Sequence, residues 1–546
     1  MTLVRRCAIP TSVVRSVRLH VPRFRCFHGC KVSADIMISS RKSRQVHEFG
    51  DFQTPKSLAA EVCSLLREKG IQPVSVIEPT CGTGNFLRAA LDCFPTVREA
   101  LGLDIDPHHV EISLRWAKET GSHPRTAIRQ ADFFDIDWPV VMRDFPEPLL
   151  VVGNPPWVTN ADLGSLGSAN LPVKTNSGKL QGIDGITGKS NFDISEWMIL
   201  RLLEAMDGRP GTLAMLCKTA VARKVLLHAW RNNLGMTDSQ VYLIDAGKSF
   251  GIAASACLLV CSLSPRSSGC AALVYEALGA HTHQSSWGLR NGTLIADIAA
   301  YERWKHLRVK KPCKRVAKTI VRSDTSPNAE AANTFAGSCR WRSGIKHDCA
   351  RVMELRRDGR KYRNALGEAV SLEETYLYPM LKGSELAKGG TGSPTRWMLV
   401  TQRFVGDDTS LIRQKAPKTW NYLLAHGEML DRRASSVYRR RPRFSLFGVG
   451  EYAFSPWKVA IPGMYKELRF SVIGSHAGKP MVMDDTSYFL PCESREQATH
   501  WAAVLNSEPA RVFFSAFVFW DAKRPITADL LGRVDLAALA NQLDSR

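Results

Sequence analysis

From Val74 onward the chain alternates short apolar runs with stretches whose apolar residues recur at helical spacing. Val74–Ile77 predicts a strand, Asn85–Cys93 a helix, Ala100–Ile105 a second strand, and Pro107–Glu119 a helix with proline in its first turn. Leu149–Val152 is wholly apolar, as a strand buried on both faces must be, and Asp193–Met206 reads as the next helix. Thr212–Cys217, Val241–Ile244 and Ala256–Cys261 continue the strand series. Strands alternating with helices predict an α/β fold, a Rossmann-like and mostly parallel sheet covered on both faces. Residues 160–190 interrupt the pattern with six glycines among serines and asparagines, the composition of a mobile loop. Beyond about residue 285 the alternation fades. From Tyr376 the chain is aromatic-rich with basic clusters, which predicts a second domain of mixed α/β type.

At 546 residues the chain exceeds one ordinary domain. The pattern divides it into a leader (1–45), a catalytic domain (46–285), a basic connecting region (286–370) and a C-terminal domain (371–546). Charge sharpens that division. The net charge is +9 over residues 1–45, −4 over 46–300 and +16 over 301–546. A near-neutral part for chemistry followed by a basic half suits a polyanionic partner. The arginine-rich leader reads either as an organellar transit peptide or, the preferred reading, as sequence upstream of a true start at Met37, and is expected to be disordered in both cases. No apolar run approaches the roughly 18 residues of a membrane helix, so no membrane is expected. The 14 cysteines are scattered, as reduced thiols of a cytosolic protein are. Cys26 and Cys30 lack a second ligand pair, so no metal is expected.

The chemistry concentrates between residues 78 and 157. Glu78-Pro79-Thr80-Cys81-Gly82-Thr83-Gly84 joins the first strand to its helix, where glycines let backbone approach a ligand and the helix offers free N–H groups. Asp104 ends the second strand, where a carboxylate accepts hydrogen bonds from both hydroxyls of a ribose. Asp132 and Phe133 supply an acid and an aromatic to bracket an adenine ring. The loop lacks the third glycine of dinucleotide sites and begins with a carboxylate, which favours a cofactor with no pyrophosphate and a cationic end, S-adenosylmethionine. Asn154-Pro155-Pro156-Trp157 follows the buried fourth strand. Two prolines remove two donors and leave carbonyls. The Asn154 amide oxygen and the Pro155 carbonyl can then hold both hydrogens of an exocyclic amino group, with Trp157 as a stacking face.

These segments resemble the gamma-class adenine-N6 DNA methyltransferases of restriction–modification systems, whose target-recognition domain is C-terminal. Phe52-Gln53-Thr54-Pro55 is similar to that family's leading motif. The resemblance implies Thr54, Glu78, Gly82, Gly84, Asp104, Asp132 and Phe133 for the cofactor and Asn154 through Trp157 for catalysis. It also implies Phe250 as a second aromatic against a flipped base. Tyr378–Gly383, Phe447–Tyr452, Trp457–Ala460, Asp484–Thr486, Leu505–Ser507 and Asp521–Ile526 are similar to segments of its recognition regions, the second and third read as strands. Arg439, Arg440, Arg441 and Arg443 are the candidate contacts to the DNA backbone.

The expected activity is therefore site-specific methylation of adenine N6 in double-stranded DNA, by a cytoplasmic, nucleoid-associated bacterial monomer. A restriction endonuclease would be separately encoded, since the chain holds no nuclease pattern. Two alternatives keep the fold or lose the activity. Asn-Pro-Pro-aromatic also marks enzymes acting on the glutamine amide of release factors and some acting on RNA adenine, which the basic extension argues against. An inert DNA-binding specificity protein is opposed by the intact Gly82, Asp104, Asn154 and Trp157.

Overall fold

A computed structural model describes residues 53–119, 125–158, 193–265, 269–309, 340–359, 361–390 and 394–544, all within the unit Phe52–Arg546. The leader, Phe52, the loop at 160–190, most of the basic stretch 305–322 and the small, polar stretch 323–337 lie outside the described residues.

The N-terminal half of the described chain is built on one ten-stranded sheet. Its strands are β1 (Ser75–Glu78), β2 (Glu99–Asp104), β3 (Thr126–Gln130), β4 (Leu149–Gly153), β5 (Gly211–Lys218), β6 (Met236–Asp245), β7 (Ser255–Leu263), β8 (Ala271–Tyr275), β9 (Ser285–Arg290) and β10 (Thr293–Ile295). Their order is β10-β9-β8-β6-β7-β5-β4-β1-β2-β3. The run β3-β2-β1-β4-β5 is parallel throughout. The helices of this half are α1 (Lys56–Glu68), α2 (Asn85–Cys93), α3 (Pro107–Glu119), α4 (Trp138–Arg143), α5 (Ile194–Met206), α6 (Thr219–Arg231) and α7 (Ala246–Phe250).

Period-two alternation sends successive strand residues to opposite faces, and both faces are covered. Ile77, Leu149, Val151, Leu213 and Met215 pack with α5 and α6 on one side. Val76, Leu150, Val152, Ala214 and Leu216 pack with α1 and α2 on the other. Every residue of β4 is buried.

Parallel order ends at β5. Strand β7 lies antiparallel between β5 and β6. Only nine residues separate Asp245 from Ser255, too few for the dozen or so that a parallel crossover needs.

The C-terminal part contains a six-stranded sheet (354–399 with 482–483) and a four-stranded sheet. The latter pairs Trp457–Pro462 and Ser487–Cys492, under the helices Arg495–Asn506 and Glu508–Ser515. Trp457–Ala460 is thus in a strand, but Phe447–Tyr452 is not. Gly448 at φ +74° breaks that extended run, which ends in a short 3-10 turn at Glu451–Phe454.

Candidate active site

Topology brings the carboxyl ends of β1, β2 and β4 to one edge of the sheet, the place where α/β sheets bind ligands. The loop from β1 to α2 is held there from three sides. Asp104 Oδ2 accepts the Gly82 N–H (2.7 Å), and its Oδ1 accepts the Asp106 N–H (2.9 Å). The buried Ser113 hydroxyl of α3 donates to the Gly82 carbonyl (2.9 Å). Gln53 Oε1 accepts from the Thr83 N–H and hydroxyl (3.1 and 3.2 Å), and the Asn85 amide donates to the Thr54 carbonyl (2.9 Å). Gly82 and Gly84 sit at φ +49° and +77°, and a Cβ on Gly82 would meet the Gln53 amide at 2.5 Å. Backbone is therefore the surface this loop presents.

Glu78 is 3% exposed and accepts the Leu87 N–H (2.8 Å), so it caps α2 from beneath the loop. Burial, together with the Asp104 charge, pushes its carboxyl well above the usual carboxylate range against that donor. A cation brought to this loop would favour its charged form. Asp132 accepts the Phe134 N–H (2.9 Å), and the Ala131 N–H donates to the Asp104 carbonyl, placing the segment beside Asp104. Phe133 is 5% exposed and packs on Trp138 (4.8 Å between rings), so in this structure it is set into the core. Sequence reasoning passed over Ile105, an aliphatic side chain 41% exposed beside Asp104. This set fits S-adenosylmethionine: a backbone cradle, a ribose acceptor, an apolar face, and carboxyls suited to a sulfonium.

Gly153 ends β4 next to this loop, and a Cβ on it would lie 3.7 Å from both Glu78 and Pro79. The following turn leaves Asn154 and Pro156 half-buried, with Pro155 and Trp157 buried. The Trp157 indole N–H donates to the Leu216 carbonyl (3.3 Å), and its ring meets Phe250 edge-on at 5.2 Å. Phe250, half-buried at the end of α7, is the more open of the two rings.

Lys218, at the carboxyl end of β5, was also passed over. Its ammonium donates to the Trp157 carbonyl (2.9 Å) and to Asp193 Oδ2 (2.7 Å). Asp193 in turn caps α5 through Ser195. One side chain thus ties the Asn154–Trp157 turn to β5 and to the start of α5. A charge closing an apolar strand at the ligand edge was the available signal.

Of the arginine cluster, Arg439, Arg440, Arg441 and Arg443 are all exposed, but among the described residues only the last has its charge already paired. Arg443 is committed to Asp431 (2.7 Å), which raises its pKa.

No protein-family model matches the chain. The type II methyltransferase M.NspV of Nostoc sp. is 42% identical over 493 residues, covering 90% of this chain and 97% of that relative. M.VspI of Vibrio sp., another type II methyltransferase, is 25% identical over 40% of this chain and 48% of its own length. The solved structure of the type IIL restriction–modification enzyme MmeI in complex with DNA aligns at TM-score 0.48 and 14% identity, over 92% of this chain and 67% of that one. On the Nostoc relative, the chain belongs to the type II methyltransferases, the S-adenosylmethionine-dependent, site-specific DNA methyltransferases of restriction–modification systems.

Proposed function

We propose that the methylated atom is the exocyclic N6 of adenine, in a base flipped out of duplex DNA. The observation that carries this reading is the Asn154–Trp157 turn, joined to β4 beside the glycine loop and tied down by Lys218. An exocyclic amino group is a weak nucleophile because its lone pair is delocalised into the ring. The Asn154 oxygen and the Pro155 carbonyl accept its two hydrogens and turn the lone pair outward. Phe250, the more open ring, supplies the aromatic wall against which the flipped base rests, with the buried Trp157 packed edge-on against it. Alignment does most of the work, and the amino proton leaves to water as the new bond forms, with no strong base needed beforehand.

S-adenosylmethionine, when bound, supplies the electrophilic methyl group. Asp104 would hold its ribose, Gly82 and Gly84 its approach to the backbone, Asp132 and Ile105 its adenine, with Glu78 and Thr54 completing the wall. Phe133, packed into the core on Trp138, supports that segment instead of facing the ring.

We also assign residues 46–285 to catalysis, 286–370 to the connection and 371–546 to target recognition. The two ends of the connection are built into the neighbouring sheets, β9 and β10 into the first and residues 354–370 into the six-stranded one. The basic charge of the C-terminal half, with Arg439–Arg441 exposed, supports phosphate contacts there. The enzyme acts as a cytoplasmic, nucleoid-associated monomer, with any restriction endonuclease on a separate chain. Among the described residues no helix is long and apolar enough to cross a membrane.

The test is the nucleoside content of duplex DNA treated with the enzyme and S-adenosylmethionine, digested and resolved by mass spectrometry. N6-methyladenine is expected. Methylated cytosine alone would overturn the base assignment.

A further inference from the structure

Outside the site, a largely enclosed charged cluster joins the C-terminal region to α6. Asp521 accepts from Arg223 through both oxygens (2.6 and 2.7 Å) and from the Thr219 hydroxyl (2.8 Å). Thr219 is 2% and Arg223 9% exposed. The Arg223 guanidinium lies between Phe519 (4.8 Å) and Trp287 (5.8 Å), whose rings also meet each other edge-on. Burial pushes the Asp521 carboxyl up, but Arg223 and Thr219 outweigh it and hold the group below its ordinary value. A salt bridge this enclosed is weak evidence for stability, since apolar packing would serve as well. Its location is more telling.

Thr219 is the first residue of α6 and directly follows Lys218, which holds the Trp157 carbonyl and Asp193. The single Thr219 hydroxyl proton has two acceptors in reach, Asp521 and the Ser255 carbonyl (3.1 Å). Ser255 opens β7, four residues after the helix that presents Phe250 ends in Gly251. The cluster therefore touches the two segments that carry the Trp157 partners Lys218 and Phe250. It reaches there from a segment nearly 300 residues later in the sequence (|i−j| of 298 for Arg223 and Asp521).

We propose that Asp521 is a positioning residue that makes the geometry of the catalytic turn depend on the seating of the C-terminal region. The carboxylate fixes the first turn of α6 and so the Lys218 ammonium that holds Trp157. This rests on the reading of Asn154–Trp157 as the reaction centre. Seating the C-terminal region on its own DNA sequence then tightens the turn, and seating on another sequence does not. Loss of the carboxylate should cost rate where the sequence is right and little where it is wrong.

The test uses the full chain with Asp521→Asn and, as a nearly isosteric second variant, Thr219→Val. Single-turnover methylation is measured at saturating S-adenosylmethionine on a duplex carrying the site mapped from expressing cells, and on the same duplex with one base pair changed. Both variants should lose roughly tenfold to a hundredfold in rate on the mapped site, the scale of a small misplacement of reacting groups. Their rate on the altered duplex and their cofactor affinity should stay within about twofold of the parent, well inside that scale. Equal losses on both duplexes, or no loss on either, would overturn the proposal. Asn154→Ala is run alongside. If it turns over normally, the reading of the turn fails; if it is dead while Asp521→Asn discriminates like the parent, only the coupling fails.

Discussion

Asp104 in the catalytic sheet and Asp484 in the C-terminal region use one device, a carboxylate accepting hydrogen bonds from a neighbouring loop, for different ends. Asp104 takes two backbone N–H groups, from Gly82 and Asp106, with the His109 ring a looser 3.5 Å from Oδ1, on a group that accepts about four hydrogen bonds. It stands at the open edge of the sheet beside the exposed Ile105. Asp484 is 8% exposed and takes the Gly383 N–H and the Thr486 and Ser487 hydroxyls, and burial pushes its carboxyl up. The first carboxylate has capacity left for a ligand, whereas the second is consumed in tying two strands together. A motif residue is a site only where the fold leaves some of its bonding unspent.

That contrast is broken or upheld most sharply by a pair of substitutions. Asp104→Ala should weaken S-adenosylmethionine binding by about 1.5–3 kcal/mol, as for hydrogen bonds to a charged group. Asp484→Ala should leave cofactor binding alone and lower unfolding stability by about 1–3 kcal/mol, through donors left unsatisfied. Calorimetry and denaturant melts on both variants read the two effects. The reverse assignment would sink the distinction.

The C-terminal sheet carries a second buried charge, and its sign is opposite. Lys458 is 1% exposed and donates to the Ser455 carbonyl (2.6 Å), and burial lowers its pKa to about 7. Between pH 7 and the ordinary lysine range the unfolded chain binds a proton that the folded one releases. Stability should therefore rise with pH across that window, by up to about 1.4 kcal/mol per pH unit. Lys458→Met should remove the rise, and an unchanged slope in melts at several pH values would contradict the burial argument.

A smaller effect separates loop support from ligand contact. Ser113→Ala removes the hydroxyl on the Gly82 carbonyl and should weaken cofactor binding by about 1 kcal/mol, one neutral hydrogen bond. An effect as large as that of Asp104→Ala would place Ser113 in contact with the ligand itself.

The smallest expected difference lies within the arginine cluster. Replacing Arg439, Arg440 and Arg441 with glutamine should flatten the dependence of DNA affinity on salt, by up to about 0.9 in log–log slope for each phosphate no longer neutralised. Arg443→Gln should change it little, because its partner is already Asp431 in an exposed pair of small worth. Equal effects from the two replacements would merge what the structure separates.

Much of the catalytic half was legible because its signals are local. The limits of α2 and α3 follow from spacing and a first-turn proline, and the uniformly apolar β4 announces a strand buried on both faces. The glycine loop and the proline pair likewise need only neighbouring residues to be read. What stayed hidden depends on interactions between distant segments. The reversal of β7 shows only as a short connection, and Lys218 gains meaning from Trp157, some 60 residues earlier (|i−j| of 61). The commitment of Arg443 to Asp431 and of Asp521 to Arg223 cannot be read from charge alone. Trp157 and Phe133 look like open stacking faces in the sequence, and the structure sets both largely within the core.

The central claim is that the turn after β4 performs the transfer and does not merely shape the fold. Asn154→Ala tests it most directly, with methylation of duplex DNA, cofactor affinity and DNA affinity measured on one preparation. Turnover should fall by at least about a hundredfold, the scale of removing one aligned polar group from a reaction centre, with both affinities nearly unchanged. Full methylation by that variant would contradict it.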